Sequence, residues 1–305
     1  MSNNMRYSKT MTKKSYQKLR RILSWTIYIL LGVLIIGGLI LFNHRSSVES
    51  RKKNQALLFN DEFDGKSLDN SKWVTCYNNY SSKFDGCTNY GNWESEWYKS
   101  SQVRLAMGNL ILTAQKQKTY GLNKYLQTQE YSYISGMITS GSLRPESPAK
   151  WGHKYGYYEA KIMSPFGQAV WPAFWLLPTD NSWPPEIDVM EIVGSKPNKT
   201  LNTFFWKDSS GNTAKDSGTY THNDNLSNDW HVYGLNWQKD RLEWYLDGKL
   251  IREVSSANVP KQPMHIVLNL AIGGTLPGQP DRTTPATLQM LVDYVRVYKS
   301  REAIQ

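Results

Sequence analysis

Beyond residue 56, apolar and polar positions alternate in short runs. NLILTAQ (109–115), YGYYEAKIM (155–163), TLNTFFW (200–206), WHVYGLNW (230–237), HIVLNLAI (265–272) and MLVDYVRVY (290–298) are rich in β-branched and aromatic residues. Such runs favour pleated strands. RLEWYLDGKLIREV places Asp247-Gly248 between two more of them. That dipeptide tolerates positive φ and matches the twist of a two-residue hairpin. Turn clusters such as DNSWPP and GGTLPGQP divide the runs, and no amphipathic helix pattern follows Phe42. Many strands without helices predict an all-β fold of antiparallel sheets packed as a sandwich.

The N-terminal pattern is different. From Ile22 to Phe42 the chain runs 21 residues without a charge. As a helix this run spans about 31 Å, enough for the hydrocarbon core of a bilayer. Seven basic residues and no acid precede it, which predicts a cytoplasmic N-terminus and an extracellular remainder. A cleaved signal peptide is the rival reading, but its apolar region is only about 7–15 residues and ends in a small-x-small site. Here only Val48-Glu49-Ser50 offers such a site, and weakly. The chain therefore divides into a basic cytoplasmic tail (1–21), a transmembrane anchor (22–43), a linker (44–56) and a catalytic domain (57–300).

Charge supports this division. The whole chain carries a net +10, which suggests a nucleic-acid binder. Residues 1–53 hold eleven basic groups and one acid, so removing them from the chain's 36 and 26 leaves 25 of each. A neutral domain has no electrostatic footprint for phosphate backbones. Disorder is excluded by 40% hydrophobic and 13% aromatic content. Cys76 and Cys87 are the two cysteines. In an oxidising exterior they can close a short loop as a disulfide, with two free thiols as the alternative.

The most informative stretch is PPEIDVMEIVG (184–194). In a regular strand Glu186 and Asp188 share one face, and Ile187 and Val189 share the other. Glu191 is five positions from Glu186 and would then fall on the apolar face, where an unpaired carboxylate is costly. A β-bulge at Val189-Met190 would return it to the acidic face. Three acids on one face repel, so at least one stays protonated near neutral pH. Glycoside hydrolysis needs that combination, one ionised carboxylate and one carboxylic acid. Taken alone, the peptide also fits an exposed strand face. Aromatic residues add context: Trp171 and Trp175 stand upstream at i and i+4, and Trp93, Trp97, Trp151, Trp183 and Trp206 fall in predicted loops or strand ends. Aromatic platforms hold the apolar C–H faces of sugar rings. Trp244, inside the hairpin, is expected in the core.

NDEFDG (60–65), NYGNWESEWY (89–98), GNLILTA (108–114), SGMITS (135–140), YGYYEAKI (155–162), WPAFWLLP (171–178), EIDVMEIVG (186–194), WYLDGK (244–249), VLNLAIGG (267–274) and VDYVRVY (292–298) together resemble glycoside hydrolase family sixteen, the laminarinase and lichenase type. The resemblance implies a jelly-roll β-sandwich of two curved antiparallel sheets with a cleft on the concave side. It implies retaining, endo-acting cleavage of a β-linked polysaccharide, most simply a β-1,3- or mixed β-1,3-1,4-glucan, by a monomeric domain needing no cofactor for catalysis. It assigns Glu186 as nucleophile, Asp188 as its proton-sharing neighbour and Glu191 as general acid/base. Trp171, Trp175, Trp93 and Asn269 become candidates for substrate binding. A transglycosylase on the same site and a non-catalytic carbohydrate-binding module are the alternatives; the presence of all three acids argues against the second.

The resemblance also implies a structural Ca²⁺ site at Glu62, the Gly108 carbonyl and Asp293. In LVDYVRV, Asp293 alternates onto the face of Leu291, Val295 and Val297, and an inward acid needs a partner. A hydrogen-bonded Asp293 without metal is the alternative. Two departures stand out. Pro185 precedes the acidic motif where many relatives have Gly, and Phe205 stands where relatives often carry a histidine. The second removes a hydrogen-bonding partner near the acid/base and makes the cleft more apolar.

Overall fold

The structure is a computed structural model that describes residues 56–75, 91–123, 125, 127–144 and 146–301. The expected tail and anchor, the linker up to residue 55, and both cysteines lie outside these residues. Among the described residues no helix is long and apolar enough to cross a membrane.

Sixteen strands are described: β1 (Leu57–Asp61), β2 (Glu96–Tyr98), β3 (Val103–Ala106), β4 (Asn109–Leu122), β5 (Thr128–Ser135), β6 (Met137–Thr139), β7 (Gly156–Met163), β8 (Val170–Pro178), β9 (Glu186–Glu191), β10 (Lys199–Lys207), β11 (Thr213–Thr221), β12 (His231–Gln238), β13 (Arg241–Leu246), β14 (Lys249–Ser255), β15 (Met264–Ile272) and β16 (Thr287–Tyr298). They form two sheets. One has the order β14-β13-β12-β7-β16-β4-β5-β2, with β1 also on β16 and β3 also on β4. The other has the order β11-β10-β9-β8-β15-β6. The short pair β2–β5 is parallel and every other strand pair is antiparallel. Asp247 and Gly248 join β13 to β14 with φ of 50° and 78°, as the hairpin turn requires.

The core lies between the sheets. Phe174, Leu176, Ile187, Val189, Phe204, Ile266, Leu268 and Leu270 from the six-stranded sheet meet Leu110, Tyr158, Leu235, Trp237, Trp244, Met290, Val295 and Val297 from the other. Trp244 is fully buried, as expected, and its indole N–H donates to the Asp188 carbonyl at 2.9 Å. That bond ties the acidic strand to the opposite sheet from beneath. With its apolar face committed to the core, the six-stranded sheet has only its other face free for a site.

Asp293 corrects an expectation. The register of β16 against β7 shifts between Val292 and Tyr294. Met290 and Val292 face the core before this bulge, and Val295 and Val297 after it. The extra residue changes the phase of alternation, so Asp293 is not an inward acid. It is half-exposed and paired with Lys161 at 2.7 Å.

Glu62 is similarly engaged. The Arg296 guanidinium donates to both its oxygens, at 3.0 and 2.7 Å, and holds its pKa below the usual range. At Gly108 an added Cβ would meet Asp64 Oδ1 at 3.3 Å. Ca²⁺ takes six to eight oxygen ligands, usually with several carboxylates. Here the charge of both carboxylates is already met by cationic side chains, and no group of three or more metal-binding side chains occurs among the described residues. This arrangement does not fit a Ca²⁺ cage. EDTA is therefore expected to leave the melting temperature within about 1 °C of its starting value in calorimetry, and a chelator-induced drop of roughly 5 °C or more would restore the metal site.

Candidate active site

The acidic strand β9 is flanked by β8 and β10. Against β10, Leu201 pairs with Glu191 and Thr203 with Asp188. Three residues of β10 (201–203) thus span four of β9 (188–191). Against β8, Phe174 pairs with Met190 and Trp175 with Asp188. Both registers place one extra residue in β9 at Val189-Met190, the expected bulge. Val189 and Met190 are both buried in the core. The displaced Val189 carbonyl accepts a hydrogen bond from Asn202 Nδ2 at 2.7 Å, so the irregularity is satisfied rather than left open. Beyond the bulge Glu191 returns to the face of Glu186 and Asp188.

Each acid has a defined environment. Trp183 Nε1 donates to Glu186 Oε2 at 2.7 Å, and Trp171 Nε1 donates to Glu191 Oε1 at 3.0 Å. Burial pushes the Glu186 carboxyl up to about 7, against the pull of the Trp183 N–H and of Asp188. Burial and the nearby Glu186 charge push Glu191 up to about 7 as well. Asp188 is raised well above the usual carboxylate range by burial and then by Glu191 and Glu186. The Lys215 ammonium acts in the opposite sense on Asp188 and Glu191. Near neutral pH the three acids therefore hold fewer than three charges, and their titrations belong to the set.

The neighbouring rows complete the cleft floor. Trp171 is only 9% exposed, and its ring is covered by the Gly273-Gly274 turn. A Cβ at Gly274, where φ is +107°, would meet Trp171 at 3.1 Å. Trp175 is half-buried, and its Nε1 donates to Asn269 Oδ1 at 2.7 Å. Asn269 in turn donates through Nδ2 to Tyr98 Oη at 2.9 Å. Asn269 is 6% exposed and uses both ends of its amide in this relay, so the structure gives it the place of a support for Trp175. Val267, Met137, Tyr98 and Leu177 pack around Trp175.

The remaining tryptophans divide sharply. Trp97 is fully buried, Trp151 packs against Phe59 at 4.6 Å, and Trp206 stacks on core Phe204 at 4.8 Å. These three are structural. Trp93 and Trp183 are 61% and 53% exposed. Trp93 sits in the 91–94 turn, which bonds to the Gly273–Gln279 loop through Thr275 N and Gln279 Nε2. Phe205 pairs with Glu186, and its ring lies 6.1 Å from that of Trp183. The histidine position thus neighbours Glu186, whereas Leu201 occupies the place beside Glu191.

Two groups were not singled out from the sequence. Glu96 is fully buried and accepts the Ile272 N–H at 2.7 Å, with its carboxyl raised well above its usual range by burial and by Glu94. It ties β2 to the end of β15 beside the cleft. Its position in NYGNWESEWY was the one available signal. Lys215 lies in β11, whose TAKDSGTYT carries no apolar stripe that would reveal a strand.

Comparison with known proteins places the chain in a family. The model of the family described as "Glycosyl hydrolases family 16" matches residues 89–296. The chain is 33% identical over 272 residues to glucan endo-1,3-beta-glucosidase A1 of Niallia circulans, covering 80% of this chain and 38% of that protein. It is 28% identical to the beta-glucanase of Rhodothermus marinus, covering 95% and 98%. The catalytic domain of the laminarinase from Thermotoga maritima superposes with a TM-score of 0.66 at 28% identity, over 80% of this chain and 98% of that one. The chain spans about half or less of the length of several relatives, 45% and 51% of two glycanases of Rhizobium meliloti among them. With the profile covering most of the chain and the bulged acidic strand at the centre of the match, this protein belongs to family 16 of the glycosyl hydrolases.

Proposed function

We propose that the protein is a retaining endo-β-glucanase acting on β-1,3- or mixed β-1,3-1,4-glucan. The observation that carries this reading is the bulge at Val189-Met190, which gathers Glu186, Asp188 and Glu191 on the free face of the sheet. The glucan-cleaving activities of the relatives support the substrate class.

The chemistry follows from the three environments. Glu186 has an indole N–H and Asp188 as hydrogen-bonding neighbours, and both favour its ionised form. As a carboxylate it attacks the anomeric carbon. Asp188 carries a proton and shares it with Glu186 in the resting site. As Glu186 gives its charge to the new C–O bond, that sharing weakens. Glu191 gives its proton to the departing glycosidic oxygen, so the leaving sugar departs as an alcohol. Water then enters, Glu191 takes its proton, and the hydroxide displaces Glu186 with a second inversion. Trp175, held by Asn269, offers a sugar platform, and Trp93 offers one farther out. Trp171 orients the acid.

Nuclear magnetic resonance of fresh digests of a soluble β-1,3-glucan tests this directly. The expected first product is the β-anomer of internal fragments, with the α-anomer appearing only by mutarotation. An α-anomer formed first would replace the double displacement with a single one.

The N-terminal run supports a second part of the proposal, a single-pass anchor with the domain outside the cell. The full-length protein is expected to stay with membranes after carbonate washing and to lose its domain to external protease. Soluble protein beginning near residue 50 would instead mean signal cleavage.

A further inference from the structure

The cleft face has a cationic corner that cleavage of a neutral glucan does not require. Along β10, side chains at i and i+2 share a face. Thr203, opposite Asp188, therefore shares its face with Phe205 and Lys207. In β11, Lys215 pairs with Phe205, and Thr213 pairs with Lys207. Lys207 and Lys215 are thus diagonal neighbours on adjacent strands, with backbones roughly 7–8 Å apart. Lys215 Nζ lies 5.9 Å from the Phe205 ring centroid, and the exposed Trp183 ring adjoins Phe205 on the other side.

Both lysines are exposed, and among the described residues neither makes an ion pair. The acids nearest in sequence are committed elsewhere. Asp216 pairs with Arg252 from β14, on the opposite side of the strand. Asp208 accepts the Ser210 and Asn212 N–H groups within its own turn. The corner is not part of a generally basic surface, because residues 54–305 carry equal numbers of basic and acidic groups.

We propose that Lys207, Lys215, Phe205 and Trp183 form a subsite for a sugar unit bearing an anionic substituent, a carboxylate or a sulfate, at the Glu186 end of the acid row. The proposal rests on the glycan-cleaving function above and narrows its substrate class. The two rings take the apolar face of the sugar. A charged group projecting from that sugar meets two ammonium groups that stand outside any ion pair, of which Lys215 also acts across the face on Asp188 and Glu191. The lysines also offset the repulsion that three nearby carboxyl groups would exert on such a substrate. A neutral glucan uses the rings alone.

The test compares initial rates on a soluble β-1,3-glucan and on the same glucan lightly carboxymethylated, at about 0.05 and 0.5 M NaCl. The readout is the ratio of kcat/KM on the charged polymer to that on the neutral one. In the wild type this ratio should fall severalfold with salt. In the Lys207→Gln/Lys215→Gln double variant it should be roughly tenfold lower at low salt and should no longer fall as salt rises. Lys207→Glu alone, which removes the same two units of charge, should lower it by a comparable factor. A pH profile of Lys215→Gln on the neutral glucan separates any effect of that lysine on the acids. A ratio unchanged in the double variant overturns the subsite and leaves the glucanase reading intact. If the wild type cleaves neither polymer, the glucanase reading fails. Quenching of tryptophan fluorescence by carboxymethylated and plain β-1,3-gluco-oligosaccharides then decides on the subsite. Tighter, salt-sensitive binding of the charged oligosaccharide, lost in the double variant, supports it; equal binding of the two sinks it.

Discussion

Glu186→Ala is expected to lower turnover on every glycoside by about 10⁴-fold or more, because no glycosyl-enzyme can form without its carboxylate. Glu191→Ala should behave differently with different leaving groups. A sugar leaves poorly unless its oxygen is protonated, so glucan cleavage should collapse by a comparable factor. An activated aryl glycoside leaves without that proton, so its first step should survive and the intermediate should accumulate. Azide should then attack the intermediate and release a β-glycosyl azide, identified by its coupling constant. An α-azide would mean that the covalent carboxylate is misassigned. Asp188→Asn should reduce activity less completely, since it removes the shared proton but keeps the geometry. Full activity in either Glu→Ala variant would overturn the reading of the whole strand. The indole bonds from Trp183 and Trp171 fix where each carboxylate points, so a compensating shift of the neighbouring acid is not expected.

The second large effect is on stability. Glu186 and Glu191 have carboxyls raised from 4.5 to about 7 by burial. Each binds its proton more tightly in the folded protein than in the unfolded chain. The stability this brings is fully present below about pH 4.5 and is lost as pH rises through about 7. At pH 7.5 the fold therefore carries the cost of the acids it needs. Glu191→Gln keeps the shape and the Trp171 contact without the charge, and should raise Tm at pH 7.5 by roughly 3–8 °C. At pH 4.5 the same substitution should change Tm by about 1 °C or less, because the wild-type carboxyl is then already neutral. Calorimetry at the two pH values checks both the size and the sign. A gain that is equal at both, or larger at pH 4.5, would mean that burial does not raise this acid.

The bulge was legible in the sequence because the penalty for the alternative is large. Glu186 and Glu191 are an odd number of positions apart on a strand whose other face is Ile187, Val189 and Met190. Without an extra residue, Glu191 would be buried without a partner, and a cost of several kcal/mol leaves one solution. The Asp247-Gly248 hairpin and the main strands were legible for similar local reasons. Strand β11 was not, because an edge strand needs only one neighbour and carries no apolar signature.

Other properties were decided by tertiary structure alone. A tryptophan has the same sequence character on a cleft floor and in a core. Trp97 became a core residue, Trp151 and Trp206 came to pack half-buried against the core, and Trp183 stayed exposed beside Glu186, because strands distant in sequence pack over some rings and leave others open. Asp293 looked inward on simple alternation, but the bulge in β16 depends on pairing with β7 and turned it toward Lys161. Glu62 looked free for a metal until β1 was laid beside β16, which brought Arg296 to it. Phe205 was placed beside the wrong glutamate because register between β9 and β10 is set across strands. Periodicity and the cost of burial are written along the chain; the partner of a half-buried charge or ring is a long-range contact, and it exists only once the sheets have formed.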